Sequence, residues 1–122
     1  MFFQKSIKKI LSERGYKHLE SDDEFTRHGE YARNIQYTFS KEFSGQNQKI
    51  IDIIFLSVDW RSEKMVISFI RENVSVENGI LDNADTNISL EKFSMAEFEK
   101  KIDRLIPKGS PIRKHGNASD NF

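Results

Sequence analysis

Carboxylates are the best-placed candidates for chemistry in this sequence. Asp52 lies inside the apolar run Ile50–Ile51–Asp52–Ile53–Ile54, and Asp59 and Glu63 follow it downstream. Acids on adjacent strands could hold a divalent ion, which would make the chain a metal-dependent nuclease or hydrolase using Asp52, Asp59 and Glu63. Such nucleases also need an acid-x-Lys element on the next strand, where this chain reads Arg61–Ser62–Glu63–Lys64–Met65. Triplets of the acid-x-Lys kind, such as Glu99–Lys100–Lys101, fall in the C-terminal helical segment, the wrong context. A carboxylate among isoleucines is costly unless it is partnered. Asp52 is therefore read as structural, near a strand end or paired with a lysine or arginine, and the nuclease reading is kept as the alternative.

The other reactive side chains form no constellation. His18, His28 and His115 are scattered. A site built from His18, Asp22, Glu24 and His28 can be drawn, because Glu24 and His28 share a strand face, but no His-x-x-x-His or similar local pair supports it. There is no cysteine, which excludes a thiolate nucleophile, a disulfide framework and a thiolate metal site. Neither a Gly-x-Ser-x-Gly elbow nor a phosphate-binding glycine loop is present. No catalytic residue, metal or cofactor is assigned. Trp60, the only tryptophan, stands between Asp59 and Arg61. It reads equally as a partner-binding anchor and as a cap folded back on the core.

Composition bounds the class. The 122 residues make one domain with enough chain for a core of its own. Nineteen basic and nineteen acidic residues cancel, removing a global electrostatic case for nucleic acid or anionic membrane. A basic helical face carrying Lys5, Lys8, Lys9 and Arg14 keeps nucleic-acid binding as a lesser possibility. No apolar run approaches membrane-spanning length and the start has no signal-like core, so a cytoplasmic location is expected.

These residues need elements to position them, and the central one is Lys49 to Arg71. Its two apolar runs, rich in β-branched and aromatic residues, are joined by Asp59–Trp60–Arg61–Ser62–Glu63 and predict a β-hairpin. Ile51, Ile53 and Phe55 point one way, and Ile50, Ile54, Leu56 and Val58 the other. Two-sided apolarity calls for a cover on each face, from the chain or from a partner, including a second copy. Before the hairpin, Phe3, Ile7, Ile10 and Leu11 predict an amphipathic helix over 2–14 that Gly15 ends. Tyr16 to Glu24 reads as a connection. Strands follow over 25–28 and 32–43, with a turn at His28–Gly29–Glu30. The second alternates Ile35, Tyr37, Phe39 and Phe43 against a wet face of Asn34, Gln36, Thr38, Ser40 and Glu42.

After the hairpin, Asn78–Gly79 predicts a turn between Val74/Val76 and Ile80/Leu81, with a short final strand and then an acidic loop. Ser94 as N-cap, Glu97 three residues later and a Phe93–Phe98 staple predict the C-terminal helix, which Pro107 stops. The domain is thus 1–107, with 108–122 read as a mobile tail. The fold class is α+β: an antiparallel meander of about four to five strands with the N- and C-terminal helices packed on one face.

A non-catalytic domain with acidic stretches and aromatics near its turns reads as a binding protein. In size, in its helix–strands–helix order over 1–107 and in its lack of motifs it resembles the small bacterial immunity proteins that neutralise toxins, including those of contact-dependent growth inhibition systems. The resemblance implies a cytoplasmic inhibitor of a toxin domain, often a basic nuclease, with acidic side chains steering association. The candidate partner-binding residues are Asp22, Asp23, Glu24, Trp60, Glu72, Glu77, Asp82 and Asp85. A phage or plasmid inhibitor of a defence nuclease would present the same surface.

Overall fold

The computed structural model describes residues 4–19, 24–28, 31–59 and 61–112. The order is α1 (Gln4–Glu13), β1 (Lys17–His18), β2 (Glu24–His28), β3 (Tyr31–Gly45), β4 (Gln48–Asp59), β5 (Lys64–Asn73), β6 (Ile80–Ser89), a single 3-10 turn (Leu90–Lys92) and α2 (Met95–Leu105). All strand pairs are antiparallel. Strands β3 to β6 run as a meander in the order β3-β4-β5-β6, and β1 and β2 both line the outer edge of β3. The sheet is therefore five strands wide and the fold is α+β.

Short-range chemistry accounts for the joints. Gly15, at φ 89°, ends α1 with a reciprocal pair of bonds, Gly15 N–H to the Ser12 carbonyl (2.9 Å) and Tyr16 N–H to the Leu11 carbonyl (2.9 Å). Only glycine adopts that backbone cheaply. Gln46 and Asn47, at φ 53° and 62°, form the two-residue β3–β4 turn, whose paired positive angles match the twist of a hairpin. Ser94 caps α2, its hydroxyl accepting from Glu97 N–H at 3.1 Å, and the Phe93 and Phe98 rings lie 6.2 Å apart as the staple.

Alternation sorts the central strands. Ile54, Leu56 and Val58 of β4 and Met65, Ile67 and Phe69 of β5 are buried. Opposite pairs such as Ile54↔Phe69 and Leu56↔Ile67 bring them onto one face. One core joins them to Tyr37 and Phe39 of β3, Ile88 of β6, Ile7 and Leu11 of α1, Tyr16, and Phe98 and Ile102 of α2. The other side of β4 and β5, with Ile51, Ile53, Phe55, Val66 and Ile70, is only half-buried.

Three expectations change. The segment read as an acidic loop is mostly β6, a full ten-residue strand. Its Asp and Asn residues have poor strand propensity, and pairing along most of β5 overrides it. The connection after α1 contains β1, where Lys17 and His18 pair with Ser40 and Phe39. Thr38 was placed on a wet face, yet it is 2% exposed and its hydroxyl has no hydrogen-bond partner. The turn expected at His28–Gly29–Glu30 and most of the 108–122 segment lie outside the described residues. Within that segment, Ile112 reaches the β3–β4 hairpin, its Cγ2 lying 3.2 Å from where a Cβ on Gly45 would be.

Candidate functional site: the β5–β6 hairpin

Asp52 is a buried carboxylate with a bonded partner at each of its oxygens. Its side chain is 1% exposed. Register sets Lys41 and Arg71 on either side of it, on β3 and β5. Arg71 donates through Nε to Oδ1 at 2.7 Å and through Nη2 to Oδ2 at 2.8 Å, while the Tyr16 hydroxyl donates to Oδ2 at 3.2 Å. A bidentate guanidinium is the strongest partner available to a carboxylate. The Arg71 pKa is raised, first by its hydrogen bond to Asp52. Burial, then the Asp52 charge and the hydrogen bond to it, push the Tyr16 phenol well above its ordinary value. Lys41 turns aside: its Nζ donates to the Arg14 carbonyl at 3.0 Å and lies over the Phe43 ring at 5.1 Å.

The acids of the nuclease alternative are not brought together. Asp52 and Asp59 stand seven residues apart on the same strand, about 23 Å at strand rise. Glu63 lies exposed in the turn after it. Among the described residues no group of three or more His, Asp or Glu could hold a metal ion. His18 stacks on Phe39 at 4.9 Å between centroids, as packing. The basic face of α1 is partly spent within the chain as well. Arg14 forks to Asp103 (Nε to Oδ1, 2.7 Å) and Glu99 (Nη2 to Oε2, 2.7 Å) on α2.

The β5–β6 hairpin combines features that the core does not explain. Its turn is a defined structure. Asn73 N–H donates to the Gly79 carbonyl at 2.7 Å, and the Asn73 side chain accepts from Ser75 N–H at 2.9 Å. A Cβ on Gly79 would clash with the Asn73 carbonyl oxygen, so only glycine fits there. Bonds to Lys49, from Val74 N–H to its carbonyl (2.9 Å) and from its N–H to Ser75 Oγ (3.1 Å), tie the turn to the start of β4. On this fixed frame Val74, Val76, Ile80 and Leu81 are exposed. Four exposed aliphatic side chains at one end of a sheet form an apolar knob of the kind that marks contact surfaces.

Acids surround the knob. Glu77 is exposed in the turn, Asp82 and Asp85 are exposed on β6, and Glu72 is half-buried on β5. From Glu72 to Glu91 the chain has five acids and neither lysine nor arginine. Asp82 faces Arg71 across the strand pair, and Asp85 faces Ser68 on the opposite side of the sheet. An open depression of about 530 Å³ lies beside Asp85, lined by Phe55, Ile70, Ile80, Ser57 and Asn83.

The other sequence candidates are elsewhere. Glu24 opens β2, which β3, β4 and β5 separate from β6, a width of about 19 Å at ordinary strand spacing. The acids therefore do not make one patch. Asp22, Asp23 and Trp60 lie outside the described residues. The Tyr16–Asp52–Arg71 cluster went unforeseen in its membership, because only strand register sets Arg71 opposite Asp52. No helix among the described residues is long and apolar enough to cross a membrane. Comparison with protein-family models, with characterised proteins and with solved structures finds no match for this chain.

Proposed function

We propose that this chain acts by binding a basic protein and blocking it, as an immunity protein of the cytoplasm that neutralises a toxin domain. The observation that carries the reading is the β5–β6 hairpin. Four exposed aliphatic residues adjoin Glu72, Glu77, Asp82 and Asp85, with no lysine or arginine between Glu72 and Glu91. An apolar centre with a charged rim is how a protein interface divides affinity from steering. We also infer that α1 and α2 lie together over the face of Ile54, Leu56 and Phe69. In support, Ile7, Leu11, Phe98 and Ile102 share that core, and Arg14 joins the helices. That arrangement leaves the half-buried face of Phe55 and Ile70 open beside the hairpin.

The test pairs the chain with proteins encoded beside it. A neighbour that is toxic alone, harmless when co-expressed with this chain and bound in a stoichiometric complex supports the reading. The double variant Asp82→Lys/Asp85→Lys should bind it at least tenfold more weakly at low salt, with a folded circular dichroism spectrum. Undiminished protection by that variant refutes the assignment to this surface.

A further inference from the structure

The outer edge of β6 has one strand partner, β5, and among the described residues nothing pairs with its other side. Sheet proteins commonly protect such an edge with lysine, proline, a bulge or a very short strand. β6 is ten residues long, ILDNADTNIS, with no lysine and no proline. Its single register irregularity lies at the very start, opposite Arg71 and Glu72. The side chains up to Asp85 are exposed. Over Ile80 to Asp85 a row of backbone donors and acceptors is thus presented to a further strand, whereas α2 packs against β6 through the core at Ile88.

Electrostatics selects what that strand would be. Pairing two copies of β6 with each other would bring both pairs of Asp82 and Asp85 to one seam, and like charges facing across strands destabilise them. A lysine- or arginine-bearing strand meets the opposite situation. Asp82 is available on one side of the sheet and Asp85 on the other, so basic residues on either face of the added strand find a carboxylate. The depression beside Asp85 completes the fit, because Phe55, Ile70 and Ile80 line it next to Asp85 and Asn83. A long basic side chain can lay its alkyl stem on those apolar groups and keep its charged head at the carboxylate.

We infer that β6 receives an extended, basic segment of the partner as an additional antiparallel or parallel strand, with main-chain bonds giving affinity and Asp82 and Asp85 selecting for positive charge. This rests on reading the hairpin as the binding surface and specifies how that surface engages.

Two synthetic nonapeptides alternating lysine and valine test it, one unmodified and one N-methylated at every backbone amide so that it keeps its charge but offers no N–H on either edge for pairing along a strand. They would be titrated against the full chain at low ionic strength, with binding measured by calorimetry and hydrogen exchange read along β6. The expected result is at least tenfold slower exchange in β6 with the unmodified peptide. The N-methylated peptide and the Asp85→Lys protein should each bind at least tenfold more weakly. Equal binding of both peptides, protection on another element, or no binding of either overturns strand addition. The surface assignment fails separately, when Asp82→Lys/Asp85→Lys protects cells as well as the native chain.

Discussion

Replacing Asp52 with alanine would strand the guanidinium of Arg71, whose side chain is 11% exposed and gives two of its hydrogen bonds to that carboxylate. Breaking a buried pair by removing one partner costs about 3–5 kcal/mol, because the remaining charge keeps its desolvation penalty and loses its compensation. The Tyr16 hydroxyl loses its acceptor as well, so about 4 kcal/mol is expected for Asp52→Ala. Arg71→Met should cost about 3 kcal/mol by the same reasoning. The double variant Asp52→Leu/Arg71→Met removes both charges and fills the space with apolar atoms, and such replacements run from neutral to stabilising. Urea unfolding followed by circular dichroism reads all three proteins. At about 4 °C per kcal/mol, Asp52→Ala should also lower Tm by about 16 °C. A loss below about 1 kcal/mol for Asp52→Ala, or a double variant no better than the worse single one, would refute the claim that the pair is buried and mutually dependent.

Other expectations follow from the same geometry. Tyr16 has its pKa raised in the folded chain, so its contribution is complete below the unfolded value of about 10 and is lost as pH rises through the folded value. Between those values the unfolded chain has released a proton that the native chain retains, so stability should fall by about 1.4 kcal/mol per pH unit from this residue. Tyr16→Phe should flatten the alkaline limb of a urea-midpoint profile, and an unchanged limb counts against the burial of that hydroxyl. Thr38→Val removes a buried hydroxyl without a hydrogen-bond partner and should raise stability by about 1 kcal/mol; a lower urea midpoint would contradict it. Gly79→Ala must displace the Asn73 carbonyl and should cost about 2 kcal/mol, with amide exchange accelerating first in residues 73 to 81. Uniform acceleration over the sheet would show that the turn is not an independent local structure.

Legibility in the sequence followed the physics of each segment. The central hairpin was readable because its two apolar runs are rich in β-branched and aromatic residues and are joined by a link of hairpin length, whereas which of their two apolar faces is the buried one, that of Ile54, Leu56, Ile67 and Phe69, depends on tertiary packing. Ser94, Glu97 and Phe93 marked α2 because a cap is local chemistry. β6 was read too short, as a brief strand at Ile80 and Leu81 followed by a loop, because the strand character of its remainder comes from β5 and not from its own Asp and Asn residues. The surface was half readable. The run of acids from Glu72 to Glu91 is visible in one dimension, but that Glu24 lies across the sheet from Asp82 and Asp85 depends on strand order. The Asp52 partner was readable only as a type, a lysine or arginine. Both stand beside it in register, and geometry separates Arg71, which bonds it twice, from Lys41, which bonds the Arg14 carbonyl.

The buried pair and the acidic edge are connected by charge. Arg71 is the only basic residue other than Lys64 on the two strands of the β5–β6 hairpin, and Asp82 stands opposite it. Were its guanidinium free, it would neutralise Asp82 and halve the field along β6. Instead both of its bonds to a carboxylate run inward to Asp52, so within the core the two charges cancel. Asp82 keeps an attraction to Arg71 that also favours the charged guanidinium, after that of Asp52. Asp52 therefore does more than hold β4 to β5. By occupying Arg71 it leaves the hairpin's outer acids less compensated, an edge of negative potential that attracts positive charge.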